Sequence, residues 1–415
     1  MNQNKLIVAL ILLIFFVISF LTNILGPIIP DIIDSFTLSI GLAGFLPFSF
    51  FVAYAVMSIP SGILVEKYKE KKMLVLAFTL AFLGAILFAL IPGFAIALTS
   101  LFIIGIGMAI LQVVINPLLR TAGGEEHFAF NSVLGQLAFG AASFLSPMLY
   151  SYLVTNMHTD DISVLFTFLN EMVPENLKWV SLYWVFAVIA FIMIIVVYIA
   201  KFPKVELKED EKIDIGVAFK DLLSNRIVIL YFLGIFCYVG TEQGIANWIS
   251  KFLQSYHGVD PSTTGATVIS YFWGLLTIGC LLGLLLLKFM DSRTVLIGFT
   301  AGAILALLTA LFGPVSWALV AFPLTGFFAS VMWSIIFSLA LNSVPHHHGT
   351  FSGILCTGIA GGALVPLIVG GIAELIGLKL AMLFLLITLG YILSIGIWAK
   401  PLVSNATKNF KDIFR

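Results

Sequence analysis

Twelve apolar stretches of about 20 residues recur along this 415-residue chain, at approximately 6–26, 41–65, 73–91, 95–119, 129–155, 179–200, 227–254, 266–288, 294–312, 317–342, 350–373 and 378–398. Each is long enough to cross a hydrocarbon core roughly 30 Å thick as an α-helix rising ~1.5 Å per residue. Backbone N–H and C=O groups find no partner in hydrocarbon, so a chain of such stretches must satisfy them within helices. The expected fold is an all-α membrane protein with twelve transmembrane helices. A composition of 60% hydrophobic and 10% charged residues excludes a soluble alternative.

Orientation follows from the basic residues. With the N-terminus inside, Lys5, Lys67, Lys69, Lys71, Lys72, Arg120, Lys288, Arg293, the Lys and Arg of 201–226 and those of 400–415 all fall on the cytoplasmic side. Only Lys178, Lys251 and Lys379 fall outside. A miscounted span would scramble this segregation, so both termini are expected in the cytoplasm. The acidic residues Asp160, Asp161, Glu171 and Glu175 lie in the outer connector 156–178, read as a solvated loop with a short surface helix. Formal net charge is +0, so nothing points to a nucleic-acid partner. Cys237, Cys280 and Cys356 sit in apolar segments without CxxC spacing and read as small hydrophobes. The first apolar run is too long for a signal-peptide core and lacks a small-residue cleavage site.

One long polar connector, 201–226, divides the spans into two groups of six. The expected organisation is therefore an N-terminal six-helix bundle (1–200), a cytoplasmic linker (201–226) and a C-terminal six-helix bundle (227–415). The two groups carry traces of a repeat. GILVEKYKEKK (62–72) follows the second span and GLLLLKFMDSR (283–293) the eighth, with Gly62 and Gly283, Lys67 and Lys288, and Lys72 and Arg293 in register. The fifth and eleventh spans both end in a run of small residues followed by proline, Pro147 and Pro366. Duplicated six-helix halves imply a site near the midplane at their interface, opened alternately to either side.

Taken together, these features resemble a known family. A chain of twelve spans in which GILVEKYKEKK follows span two is similar to the major facilitator superfamily, although Glu70 stands where that motif has a small residue. Four stretches resemble its fucose/glucose-galactose permease branch: INPLLRTAGGEEHFAFNSVLGQ (115–136), YVGTEQGIANWISKF (238–252), YFWGLLTIGCLLG (271–283) and SIIFSLALNSVPHHHGTFSGILCTGIAGGALVPL (334–367). The resemblance implies two pseudo-symmetric six-helix bundles, a multi-pass protein of the bacterial inner membrane, a small-molecule sugar substrate, symport with sodium or protons, no cofactor, and action as a monomer. Fucose-permease-like members carry acidic residues on the first and fourth spans. Here those spans offer Asn23 and Gln112, so attention moves to Glu242, which resembles an acidic residue of the glucose/galactose-like members.

The polar residues agree with that expectation. Glu242 is the one acidic residue placed deep in any of these apolar runs, and an ionisable group at membrane depth is a functional-site candidate by default. Gly240 and Gly244 beside it would permit an unwound backbone whose carbonyls help hold a cation. Gln112 and Asn116 are four residues apart, as are Gln243 and Asn247. With Asn23, Asn131 and Gln136 they make a carboxamide-rich set, which suits a neutral polyhydroxylated ligand because each amide both donates and accepts. Trp248, Tyr271, Trp273 and Trp333 offer faces on which the C–H side of a sugar ring can stack, Trp333 being the better candidate and Trp248 alternatively a belt residue.

Glu66, Lys67, Arg120, Glu125 and Glu126 on the cytoplasmic side read as a gating network between the halves. The cluster His346, His347, His348 reads as a solvated loop rather than a metal site. No nucleophile–base pair, metal-ligand set or GxxxxGK loop is present, which argues against an enzyme and against ATP-driven transport. The leading expectation is uptake of a neutral hexose-like sugar coupled to a cation at Glu242. The alternative is proton-coupled export of a lipophilic or drug-like compound, which requires fewer convergent amides and more apolar walls.

Overall fold

The computed structural model describes residues 3–124, 128–159, 164–202, 222, 224–344 and 348–402. Twelve helices among them are long and apolar enough to cross a membrane: α1 (Lys5–Phe36), α2 (Ile40–Val65), α3 (Glu70–Leu90), α4 (Phe94–Gly123), α5 (Leu134–Asn156), α6 (Glu175–Ile199), α7 (Arg226–Ala246), α8 (Pro261–Leu286), α9 (Ser292–Phe312), α10 (Val315–Leu341), α11 (Phe351–Ile376) and α12 (Leu378–Trp398). The connector between α5 and α6 carries the short helix Val164–Met172.

Two spans differ from the apolar runs in an informative way. The first helix does not end near residue 26; it pauses at Asn23–Ile24 and continues as Leu25–Phe36. The seventh pauses at Asn247–Trp248 and continues as Ile249–His257. Both pauses fall at an asparagine, in helices six apart in order. The same relation governs the whole assembly. α1 packs on α4 and α5, α2 on α4, and α3 on α4 and α6; α7 packs on α10 and α11, α8 on α10, and α9 on α10 and α12. Adding six to each number turns the first set into the second. Two of the pairs that join the halves, α2 with α11 and α5 with α8, exchange under the same operation.

The repeat also reaches the charged connectors. Lys71 Nζ donates to the carbonyl of Ala200 at the end of α6 (2.9 Å), and Arg293 Nη1 donates to Ala399 at the end of α12 (3.3 Å). Cations at helix C-termini satisfy orphan carbonyls and favour the helix dipole. Sequence register pairs Arg293 with Lys72, whereas its structural counterpart is Lys71, because reach to the carbonyl rather than chain position fixes the role.

The ten described basic residues Lys5, Lys67, Lys69, Lys71, Lys72, Lys201, Arg226, Lys288, Arg293 and Lys400 mark one end of the bundle, called here the basic end. The opposite end is closed by contacts between the halves. A Cβ at Gly26 would collide with the Ala246 carbonyl oxygen, so α1 and α7 cross there backbone to backbone. Glu374, near the end of α11, accepts the Gly41 N–H at the start of α2 (2.7 Å) and the hydroxyl of Ser39. A carboxylate at a helix N-terminus meets unpaired N–H donors and the positive end of the dipole. Any side chain at Gly41 would displace Glu374, since a Cβ there would stand 2.8 Å from it. Beyond this seal, Asp260 caps the start of α8 by accepting the amides of Ser262 and Thr263 (2.8 and 2.9 Å). Partial burial opposes ionisation, but these bonds and the two hydroxyls hold its carboxyl below the usual carboxylate range.

Glu374→Gln removes the charge from the α2–α11 contact and with it the attraction of the carboxylate for the positive end of the α2 dipole. In a Cys237→Ser/Cys356→Ser background, a membrane-impermeant thiol reagent applied from the non-basic end should label Cys280 about two- to fivefold faster in this variant. An unchanged labelling rate would show that the contact does not hold that end shut.

Candidate functional site

A cavity of about 690 Å³ lies between the halves, walled by α1, α2, α4 and α5 on one side and α7, α8, α10 and α11 on the other. Its size suits a small molecule. It reaches Asn342 and Leu287 towards the basic end and stops at Asn23 and Gln243, beneath the closed contacts of the opposite end. Of the residues singled out from the sequence, Glu242, Asn23, Gln112, Gln136, Gln243, Trp273 and Trp333 line it. Trp333 stacks on Phe337 (centroids 5.9 Å apart) and stands 6.0 Å from the Tyr238 ring, an aromatic wall on the α7–α10 side.

The carboxamides at the far end of the cavity are joined to one another. Asn23 Nδ2 donates to Ser143 Oγ (2.9 Å), Gln243 Nε2 donates to Asn23 Oδ1 (3.4 Å), and Asn247 Nδ2 donates to the Gln243 carbonyl (2.8 Å) and to its Oε1 (3.3 Å). Asn23, Gln243 and Asn247 are all buried. This chain links the pause in α1 to the pause after α7 and floors the cavity. Polar side chains inside a helical bundle commonly serve as such interhelical bonds.

Five of the candidate substrate residues lie outside the cavity. Asn116 is exposed, and its Nδ2 reaches only the Gln112 carbonyl at 3.5 Å. Asn131 is buried against Gly123 at the basic end of α4. Asn247 supports the floor from behind Gln243. Trp248 is fully buried rather than in a belt, its Nε1 donating to the Pro366 carbonyl (3.2 Å). Tyr271 is 49% exposed and faces Phe144 across the α5–α8 contact. Gly240 and Gly244 do not unwind α7, which is helical from Arg226 to Ala246. They let it approach α11, where their missing Cβ atoms would meet Val365. Among the gating candidates, Lys67 lies over the Tyr68 ring at 5.3 Å; Glu125, Glu126 and the side chains of Glu66 and Arg120 lie outside the described residues, as do His346 and His347 and the side chain of His348.

The structure adds participants that residue type alone does not reveal. Tyr238, one turn before Glu242 on the same face, hydrogen-bonds the Glu242 carboxyl; the four-residue spacing is the signal for it in the sequence. Ser330 lines the cavity at the pause between the two helical segments of α10, Val315–Ala329 and Met332–Leu341. A second acid, Asp31, enters a span because α1 is longer than its apolar run, and the hydroxyl of the buried Tyr150 on α5 donates to it. Glu242 is therefore the carboxylate of the cavity but not the sole acid within the helices.

The model of the Major Facilitator Superfamily matches residues 11–366. The chain belongs to the major facilitator superfamily. Within it, the chain is 31% identical over 399 residues to a glucose/galactose transporter of Brucella abortus biovar 1 (strain 9-941), covering 93% of this chain and 92% of the relative. It is 25% identical over 392 residues to the L-fucose-proton symporter of Escherichia coli (strain K12), covering 89% and 87%. The crystal structure of the E. coli fucose:proton symporter matches with a TM-score of 0.67 at 21% identity, over 96% of this chain and 100% of that one. A bacterial homologue of the human lysosomal transporter Spinster matches with a TM-score of 0.78 at 15% identity, over 96% and 97%. Both share the superfamily fold with this chain.

Asn247→Ala removes the buried bonds by which Asn247 holds Gln243 in the floor and should cost about 0.5–1.5 kcal/mol, the net worth of a typical intramolecular hydrogen bond. The loss should appear as a lower midpoint of thermal unfolding in detergent, and an unchanged midpoint would remove Asn247 from the floor's support.

Proposed function

We propose that this superfamily member takes up a neutral hexose by proton symport across the bacterial inner membrane, through alternating access of the central cavity. The observation that carries the reading is the lining of that cavity: one carboxyl, Glu242, beside carboxamides, a serine and indoles, in a space open towards the basic end. Among the described residues no Lys or Arg lines it, so an anionic substrate meets no counter-charge there, while Gln112, Gln136, Trp273 and Trp333 suit hydroxyls and a C–H face. The relatives from Brucella and E. coli, a glucose/galactose transporter and an L-fucose-proton symporter, support the sugar and the proton. The carboxamides that converge on the cavity speak against a purely apolar, drug-type wall.

Proton coupling is favoured over sodium by local geometry. A bound sodium ion needs several oxygen ligands, and an unbroken α7 frees no backbone carbonyl around Glu242. A proton needs only the carboxylate. In the ionised form Glu242 is held by the Tyr238 hydroxyl. Protonation neutralises the one charge on the wall, and the loaded cavity can then be occluded without burying an uncompensated ion.

The remaining organisation follows the same reading. Residues 1–200 and 227–415 act as two bodies that rock about the cavity, joined by 201–226, in a single functional copy of the chain. The basic end faces the cytoplasm by the distribution of Lys and Arg. The state described is thus inward-open, with release to the cytoplasm available. In the opposite state the basic end must close, and the sequence offers Glu66, Lys67, Arg120, Glu125 and Glu126 as the charged groups for it.

The test is uptake of a radiolabelled hexose panel into proteoliposomes under separately imposed proton and sodium gradients. Wild type should accumulate a hexose under the proton gradient alone. Glu242→Gln should abolish accumulation while retaining sugar counterflow, since a neutral isostere mimics the permanently protonated carrier. Accumulation by Glu242→Gln equal to wild type would sink the coupling role, sodium-driven accumulation would replace the ion, and no hexose uptake under any condition would sink the substrate.

A further inference from the structure

Resting on the sugar-transport reading, we infer that the pyranose is recognised by Gln112 Oε1, Trp273 Nε1 and Ser330 Oγ, bridging the two halves, and not by the carboxamides of Asn23, Gln243 and Asn247. Each of the three atoms is buried without a protein hydrogen-bond partner, and each belongs to a residue lining the cavity. Trp273 and Ser330 are each 3% exposed. A buried polar atom left unpaired costs free energy in the empty protein, and native interiors leave few of them. Three such atoms, on residues that line one cavity, mark where a ligand's polar groups go.

The amides of the floor are in the opposite condition. Asn23, Gln243 and Asn247 spend donors and acceptors on one another and on Ser143, so a sugar binding there would have to break bonds that hold α1 against α7. Gln112 belongs to α4 and the other two to α8 and α10, so a ligand satisfying all three ties the N-terminal half to the C-terminal half. The chemistry of the three atoms is complementary to a polyol. Gln112 Oε1 only accepts, Trp273 Nε1 only donates, and Ser330 Oγ does either. Sugar hydroxyls each donate and accept, so adjacent hydroxyls can meet the acceptor and the donor at once. An apolar molecule of the same volume would leave all three unpaired, which is the basis of rejection.

Position supports Ser330 in particular. It lies at the pause in α10, three residues before Trp333, and Cys280 Sγ on α8 donates to its carbonyl (3.2 Å). Gly279 leaves the room its side chain occupies, since a Cβ there would collide with the hydroxyl. The hydroxyl is therefore held against α8 at Gly279.

The experiment measures binding of D-glucose, D-galactose and their monodeoxy analogues to the purified full-length protein by isothermal titration calorimetry. Trp273→Phe keeps an aromatic ring and loses the N–H; Ser330→Ala and Gln112→Met are near-isosteric removals of the other two atoms. Each should weaken hexose binding about tenfold at an unchanged melting midpoint, the loss expected for a buried hydrogen bond. In addition, one monodeoxy analogue should bind wild type about tenfold more weakly and bind the matching variant with no further loss, because the partner is already gone. Trp273→Phe and Ser330→Ala that both bind every hexose like wild type, or losses that simply multiply for all analogues, overturn the inference and leave the sugar reading standing. Hexose binding lost in Asn247→Ala but not in Ser330→Ala would transfer recognition to the floor. No binding of any hexose to wild type overturns the inference together with the reading it rests on.

Discussion

The constraint on which everything else rests is that an N–H or C=O in hydrocarbon must find its partner inside the protein. It makes the fold helical, and it also decides where a helix can pause. α1 pauses at Asn23 and α7 at Asn247, where the two segments lie against one another and the side chains bond across. α10 pauses at Ser330, beside a cavity. Pauses occur where another helix or a polar space receives the freed groups. A site at the midplane is thus a consequence of the same rule that forbids irregular chain elsewhere.

Much of this is legible in the sequence. Span number, span limits to within a few residues except at the ends of the first and seventh, and the twofold relation between halves follow from apolar length, turn residues and the basic connectors, all of which act locally. The acids Asp31 and Glu374 escape such a reading because the apolar runs end before the helices do. Tertiary partners, Tyr150 for one and the amide of Gly41 for the other, let the helices continue through a charge that hydropathy reads as a boundary. Glycine is ambiguous for a related reason. Gly240 and Gly244 can unwind a helix or let it approach another, and only the presence of α11 at Val365 decides for approach.

The cavity residues divide on the same principle. Residue type marks Asn23, Gln112, Gln243, Asn247, Trp248 and Trp273 as polar groups at membrane depth; it does not tell which have neighbours. Asn247 and Trp248 lie outside the lining and are consumed by Gln243 and Pro366, whereas Gln112 and Trp273 line the space and each keeps a buried polar atom without a protein partner. Whether an amide is glue or recognition depends on the three-dimensional company it keeps, and a four-residue spacing carries only half of that information. Tyr238 is the exception in kind, since its bond to Glu242 lies within one helix and its spacing alone reveals it.

The floor of the cavity has a further consequence, for leakage. Asn23, Gln243 and Asn247 are amides, and an amide neither takes up nor releases a proton at any pH a cell meets. The barrier between Glu242 and the far face along this line is therefore electrically silent: it cannot relay a proton by titrating, and its strength does not vary with the gradient across it. A seal built of carboxylates and lysines would have loosened or tightened as the driving force changed. Built of amides, it parts the Glu242 carboxyl from the far face by groups that do not titrate.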